Sequence, residues 1–267
     1  MKTIDRTEGR RAFGHNVAGY DTVRPLYPKW MFETLAGFVD EPVTLEIGPG
    51  NGLATRSLAQ IGASPITLIE PDRRFSGLLE GLTDVRGDPC QITYASFEAA
   101  KLPAHSFDLV VAATSFHWLE PRVRVEKLAG LVKPKGIVAL MWHVFQDMEL
   151  EDLFHEATKD LLSVLDSSPS GSPDELPFAL DRQARELEFL ETDLFELRLY
   201  QEERWPLRLN PTDVRVLYEG FSGIAQLSEP DRHDLLNRLE TIARVEFQGQ
   251  VVRNMTSPLY IFERKPT

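Results

Sequence analysis

Cysteine is almost absent from this chain: Cys90 is the only one in 267 residues. No internal disulfide can form, so the fold rests on burial and hydrogen bonding, and a reducing compartment is expected. A lone thiol of this kind is read as packing. Apolar runs of membrane-spanning length are also missing. The opening MKTIDRTEGRR has no apolar core of the sort a secretory leader carries, so a cytoplasmic protein is expected. Positive charge is scarce: 29 Lys and Arg stand against 41 Asp and Glu, a formal net charge of −12. Such a chain is a poor candidate for gripping phosphate backbones or anionic membranes, and no basic cluster offsets the deficit. Neither nucleic acid nor membrane is expected as a partner. Histidines are few, and His15, His105, His117, His143, His155 and His233 show no paired ligand spacing, so no metal centre is expected. Hydrophobic content of 42% and charged content of 26% are ordinary for a globular protein. The length allows one large domain or two small ones.

What the chain does have is one stretch with strong local grammar, Val43 to Gly52, reading VTLEIGPGNG. A short apolar run bears one acid, Glu46. Gly48, Gly50 and Gly52 follow at alternate positions, with Pro49 between the first two, and then comes a helix-like run from Leu53 to Ile61. Strand, Gly-rich turn and helix in that order put backbone N–H groups near a helix start and let a ligand approach the main chain closely. A second apolar run, Ile66 to Ile69, ends in Glu70-Pro71-Asp72, and Glu70 lies twenty positions after Gly50. An acid at that spacing, at the tip of the second strand of a βαβ unit, is placed to accept both hydroxyls of a ribose. The dinucleotide fingerprint G-x-G-x-x-G fails, because Leu53 stands where its third glycine belongs, and no Gly-Lys-Ser/Thr follows to make a P-loop.

Further strands are expected at Gln91 to Ala95, Ser106 to Ala113 and Ile137 to Met141, with helices at Lys29 to Phe38, Arg73 to Leu82 and Glu120 to Leu131. Five strands separated by helices indicate a mostly parallel sheet with helices on both faces, whose ligands bind beyond the carboxyl ends of the strands. Gly48 to Gly52, Glu70, Ser96-Phe97, Thr114 to Trp118 and His143 all fall at those ends. After Trp142 the pattern changes. An amphipathic helix from Asp147 to Leu165, a Ser/Pro/Gly loop at 167–173 and a helix from Arg182 to Leu190 read as an insertion over the ligand edge, about 145–190. Strands at Phe195 to Leu199, Trp205 to Leu209 and Ser257 to Phe262 follow, with helices at Thr212 to Glu219 and Ser228 to about Phe247. Residues 1–28, rich in aromatics and turns, read as a segment that packs over something.

These residues resemble those of class I S-adenosylmethionine-dependent methyltransferases. LEIGPGNG is similar to their acid-x-G-x-G-x-G motif, and LIEPD to their ribose-binding motif. ASFEAAKLPAHSFDLVVAATSFHWL resembles the third and fourth motifs of the small-molecule type 11 group, which includes trans-aconitate methyltransferases. FGHNVAGYDTVRPLYP resembles that group's lid. The resemblance implies a Rossmann-like, seven-stranded, mostly parallel α/β sheet with its last pair antiparallel, in a single domain 1–267 with lid 1–28 and helical cap 145–190. It implies S-adenosylmethionine as cofactor and S-adenosylhomocysteine as product. By resemblance, Glu46 sits near the methionine amino group. Gly48, Pro49, Gly50 and Gly52 line the methionyl and ribose portion, Glu70 holds the ribose and Pro71 packs beside the adenine. Ser96 stands where the family usually has an adenine-binding Asp, with Phe97 offering a backbone N–H or a stacking ring instead. Thr114 lies beside the methionine moiety. Tyr20 and Arg24 close over the cofactor, although an Arg beside Pro is equally a surface charge.

The expected reaction is methyl transfer to a small molecule through an O, N or C nucleophile, a carboxylate favoured, by a monomer or homodimer. A carboxylate acceptor needs no base; a phenol or carbon acid does. His117 is the first candidate base, because it follows the fourth strand at the ligand edge, and His143 and His15 are the others. Phe116, Trp118 and Trp142 could line an apolar substrate pocket or serve as core. The alternative function is a cofactor-binding protein, or a non-methylating enzyme, on the same fold.

Overall fold

A computed structural model describes residues 4–6, 23–166, 168–170 and 176–266. Seven strands form one sheet: β1 Thr44–Ile47, β2 Ile66–Ile69, β3 Gln91–Thr93, β4 Phe107–Ala113, β5 Val132–Met141, β6 Phe195–Leu209 and β7 Val251–Arg264, in the order β3-β2-β1-β4-β5-β7-β6. β1 lies between β2 and β4, with Glu46 opposite Leu68 on one side and Val111 on the other, all parallel. β3 and β5 extend the parallel run. β7 runs antiparallel to β5, pairing Tyr260 with Leu140. The expected mostly parallel seven-stranded sheet is the one found. All four residues of β1 are buried, which is why its sequence is a continuous apolar run rather than an alternating one.

The helices are α1 Lys29–Ala36, α2 Leu53–Gln60, α3 Ser76–Leu79, α4 Arg124–Leu131, α5 Leu153–Leu162, α6 Arg182–Leu190, α7 Pro211–Glu219, α8 Ser222–Ala225 and α9 Glu229–Val245. Several differ from the sequence expectation for identifiable reasons. The helix expected from Asp147 starts only at Leu153, because Asp152 caps it by accepting from His155 N–H, while Asp147 closes a separate turn onto Glu149 N–H. The two strands expected at 195–199 and 205–209 are one strand. It lies at the edge of the sheet, where Pro206 removes no needed ladder bond. β5 begins at Val132, five residues early. Pro134 and the left-handed Lys135 (φ 64°) are absorbed by an irregularity opposite Phe107 to Leu109.

The chain divides into two compact units. One comprises Leu26–Trp142, Ala179–Glu202 and Ser257–Thr267; the other comprises Met1–Pro25, His143–Phe178 and Glu203–Thr256. The stretch 145–190, expected as one insertion, is therefore shared between them. α6 belongs with the sheet because Phe189 stacks on Phe262 at 3.9 Å and meets Phe195 and Phe116 edge-on or tilted. α5 belongs to the other unit, where Phe154 packs into a core with Val214, Leu217, Tyr218, Leu235, Leu236 and Leu239. Among the described residues no helix is long and apolar enough to cross a membrane.

Candidate functional site

The Gly-rich turn continues directly from β1. Gly48 N–H donates to Ile69 O at 2.8 Å, carrying the parallel ladder one residue past the strand. Gly48 has φ +69°, and a Cβ on it would come within 2.8 Å of Ser115 Cβ. Gly50 has φ +56°, and a Cβ there would meet nothing within 4 Å. The first glycine lets two backbone segments of the protein approach; the second faces space that no atom of the described residues fills within 4 Å. Gly52 closes the turn by donating to Pro49 O at 2.8 Å, and it caps α2.

Two carboxylates lie under this turn. Glu46 is 1% exposed, and its Oε2 accepts from Thr55 Oγ1 at 2.6 Å. Its Oε1 is buried with no hydrogen-bond partner among the described residues. Burial, with a smaller contribution from the charge of Glu70, pushes its pKa up to about 7. Glu70 accepts Gly50 N–H at Oε2 (3.1 Å) and Asp72 N–H at Oε1 (2.9 Å). Burial pushes it up to about 7 as well, against the pull of those two N–H groups. Glu70 thus braces the glycine turn, and each of its oxygens keeps a lone pair for a further donor.

The neighbouring strand ends complete a row. Gly48 and Gly50 after β1, Pro71 after β2, Ser96 after β3 and Thr114 after β4 are each only partly buried. With strands about 4.8 Å apart, four adjacent ends span roughly 14 Å. Thr114 is a β-branched residue at φ +51°, an outlier held by its N–H to Met141 O at 2.7 Å and its Oγ1 to the Tyr27 hydroxyl at 2.7 Å. Ser115 Oγ donates to Ile47 O and ties β4 to β1. The Phe97 ring is buried beneath the Lys127 ammonium, 5.0 Å from its centroid, so it presents no open face for stacking.

His117 is buried, and its Nδ1 accepts the Trp142 indole N–H at 3.2 Å. That bond places the ring proton on Nε2 and occupies the lone pair a base would use. Phe116, Trp118 and Trp142 are buried as well. Phe116 meets Trp142 edge-on at 6.4 Å, and Trp142 meets Tyr260 edge-on at 6.1 Å. All three are packed as core. His143 and Arg24 fall in the other compact unit, where His143 lies edge-on to Trp205 at 5.5 Å. His15 and Tyr20 lie outside the described residues. Burial pushes the Cys90 thiol up to about 11, so it is no nucleophile at neutral pH. Among the described residues no group of three His, Cys, Asp or Glu side chains is placed to hold a metal ion.

Sequence reasoning missed Thr55 and Lys127, and it named the stretches holding Ser115 and Tyr27 without their bonds. Thr55 carried a signal, a hydroxyl in the first turn of the helix after the glycines. Lys127 is brought to this edge by strand order and had none.

A seven-stranded, mostly parallel sheet with β7 antiparallel to β5, and an acid-bearing strand running into a Gly-rich turn at its centre, is what the resemblance to class I S-adenosylmethionine-dependent methyltransferases implies. An open side at Gly50, an unsatisfied buried oxygen on Glu46 and lone pairs on Glu70 fit that cofactor. Comparison with known proteins agrees. Residues 45–140 match the type 11 family described as a methyltransferase domain. An uncharacterized methyltransferase of Schizosaccharomyces pombe is 25% identical over 96% of this chain and 98% of its own. In fold, the chain is similar to the [4+2]-cyclase SpnF (TM-score 0.59, 15% identity, 100% and 99% of the two chains). It is also similar to Haemonchus contortus phosphoethanolamine N-methyltransferase 2 in complex with S-adenosyl-L-methionine (TM-score 0.54, 14% identity, 97% of this chain and 60% of that one). The protein is an S-adenosylmethionine-dependent methyltransferase, and the family match lies over its residues 45–140. These relatives do not narrow it to trans-aconitate methylation.

Proposed function

We propose that the protein methylates a small-molecule acceptor, and that the acceptor is a carboxylate. When bound, S-adenosylmethionine supplies a methyl group already activated by its sulfonium. The chain's task is then to bind, orient and exclude water. In this reading Glu46 faces the methionine amino group through its unsatisfied oxygen, and Gly48, Pro49, Gly50 and Gly52 follow the methionyl and ribose portion. Glu70 accepts the ribose hydroxyls with its remaining lone pairs, and Pro71 and the Ser96-Phe97 backbone take the adenine. Thr114 borders the methionine moiety. The observation that carries the reading is the row of partly exposed groups at four adjacent strand ends, braced by the Gly50–Glu70 bond.

The preference for a carboxylate is supported by His117, whose Nδ1 is engaged by Trp142, so the first candidate base has no free lone pair. An acceptor ionised at neutral pH needs none. A net charge of −12 weighs against nucleic-acid acceptors. One fold relative is named for a small acceptor, phosphoethanolamine.

The test is to incubate the pure protein with S-adenosylmethionine and a pool of small carboxylates, phenols and amines. S-adenosylhomocysteine release is followed, with mass spectrometry for a product heavier by one methyl. Methyl ester formation, retained in a His117→Asn variant, is the expected result. Turnover confined to phenols or amines overturns the carboxylate assignment. Cofactor binding without turnover across the whole pool favours a non-methylating role on the same fold.

A further inference from the structure

Lys127 has no part in the site as described so far, yet its ammonium group is the most heavily committed on this edge. After β3 the chain makes a tight turn in which Ala99 and Ala100 N–H both donate to Ser96 O, at 3.1 and 2.9 Å. Three other carbonyls of the turn converge on one point. Lys127, projecting from α4, fills it with Nζ at 2.5 Å from Phe97 O, 3.0 Å from Glu98 O and 2.8 Å from Ala100 O. An ammonium has three N–H donors, and here each has a carbonyl. The Phe97 ring packs against the same cation. The turn is also held from its other side, where the Glu98 carboxylate accepts Glu120 N–H at 2.8 Å. Burial pulls the Lys127 pKa below the usual lysine value, with Glu98 opposing, so the clasp is maintained against a desolvation cost.

The position of this turn gives the clasp its meaning. It lies at the end of β3, one strand beyond Glu70 on β2 and two beyond the glycine turn on β1. A ligand with its amino-acid end at β1 and its sugar at Glu70 brings its purine to this turn. No side-chain carboxylate is presented there by Ser96, whose Oγ accepts from Ala99 N–H at 3.3 Å. Purine contacts therefore fall to the backbone around Ser96 and Phe97. That backbone is fixed by the bond from Lys127 to Phe97 O.

We propose that Lys127 is a positioning residue for the purine end of the cofactor site: its ammonium sets the 96–100 turn whose backbone meets the adenine. The proposal rests on the function given above. Removing the ammonium leaves three carbonyls without their donor and frees the turn, while Glu46, Gly48 and Thr114 at the methionine end keep their own bonds.

The test compares wild type with Lys127→Met and Lys127→Ala. Affinity is measured for S-adenosylhomocysteine and for 5′-methylthioadenosine, which keeps the purine and ribose and lacks the amino-acid end. Both affinities are expected to weaken by the same factor, about tenfold, corresponding to loss of one charge-assisted contact. KM for S-adenosylmethionine rises in step, and kcat at saturation stays within about twofold of wild type. Ethylammonium added to Lys127→Ala restores affinity, and tetramethylammonium, which carries the charge without N–H groups, does not. Unchanged affinity in a folded Lys127→Met, a fall in kcat with affinity intact, or equal rescue by both cations overturns the proposal. If Lys127→Met does not fold, the same ratio is read on Lys127→Arg. Its planar fork cannot direct three N–H groups at one point, and unchanged affinity there overturns the proposal too. A wild-type protein that binds neither ligand overturns the cofactor assignment itself. Wild-type binding with unaltered variants overturns only the role of Lys127.

Discussion

Gly50→Ala separates the ligand-facing role of the glycine turn from its structural one. Gly50 has φ +56°, and a Cβ there meets no atom within 4 Å. The folded chain therefore bears only the cost of an L-residue in the left-handed region, about 1–2 kcal/mol. For a protein of this size that lowers the melting temperature by about 2–4 °C. The new methyl projects into the space a cofactor would occupy, and forcing one extra carbon into a packed contact costs about 1–3 kcal/mol. S-adenosylhomocysteine affinity, read by titration calorimetry, is then expected to fall by about tenfold or more. Gly48→Ala is the companion variant. Its Cβ meets Ser115 Cβ at 2.8 Å, so it should lose more stability than Gly50→Ala. A Gly50→Ala protein that binds S-adenosylhomocysteine with wild-type affinity would refute the placement of the cofactor on this turn. A Gly50→Ala melting temperature below that of Gly48→Ala would refute the geometric account of the two glycines.

The remaining predictions concern buried charge. The Glu46 and Glu70 carboxyls titrate at about 7 in the folded chain, against an ordinary value of 4.5 for a solvated glutamate. Between those pH values the folded chain holds protons that the unfolded chain has released. The stabilisation from these groups is thus complete below 4.5 and lost as pH rises through about 7, on the order of 3 kcal/mol each. Thermal stability without ligand should accordingly fall between about pH 4.5 and pH 7 and level off above, with a shallower fall in Glu46→Gln; identical slopes in the two proteins would contradict the assignment. Binding of a ligand with a cationic amino group should tighten over the same range, because it favours the ionised carboxylates. In the other unit, Arg253 donates to Asp152 Oδ2 at 2.6 Å, to the Tyr218 hydroxyl at 2.5 Å and to Phe145 O at 3.1 Å, all from a buried position. Arg253→Met leaves the Asp152 carboxylate in the core with only the backbone N–H groups of His155 and Asn254, at a cost of about 3–5 kcal/mol in urea unfolding. A loss under about 1 kcal/mol would show that the pair is not buried as described.

Much of the sheet was legible because its signals are local. Val43 to Ile47 and Ile66 to Ile69 are short apolar runs bounded by turns, and the acid-and-glycine spacing marks a βα turn whatever surrounds it. Element ends were less legible. Asp152 was not distinguishable from Asp147 as the cap of α5 until its bonds were seen. The long β7 was underread because Arg253 and Asn254 look unsuited to a buried strand until Asp152 is placed beside them. The aromatics after β4 were ambiguous for the same kind of reason. Trp142 and His117 are 25 residues apart, and nothing in either neighbourhood says that one donates to the other.

The sequence by itself determined that an acid, three glycines and a second acid sit on one βαβ unit, and these residues carry the resemblance to methyltransferases that implied the methyl donor. Those features depend on backbone conformation and spacing within some thirty residues, which sequence encodes directly. Tertiary structure alone decided which groups meet across strand ends: Tyr27 with Thr114 over 87 residues, Lys127 with the turn after β3, and Gly48 against Ser115. Such pairings follow from strand order and side-chain packing, and strand order is a property of the whole sheet that no single segment carries.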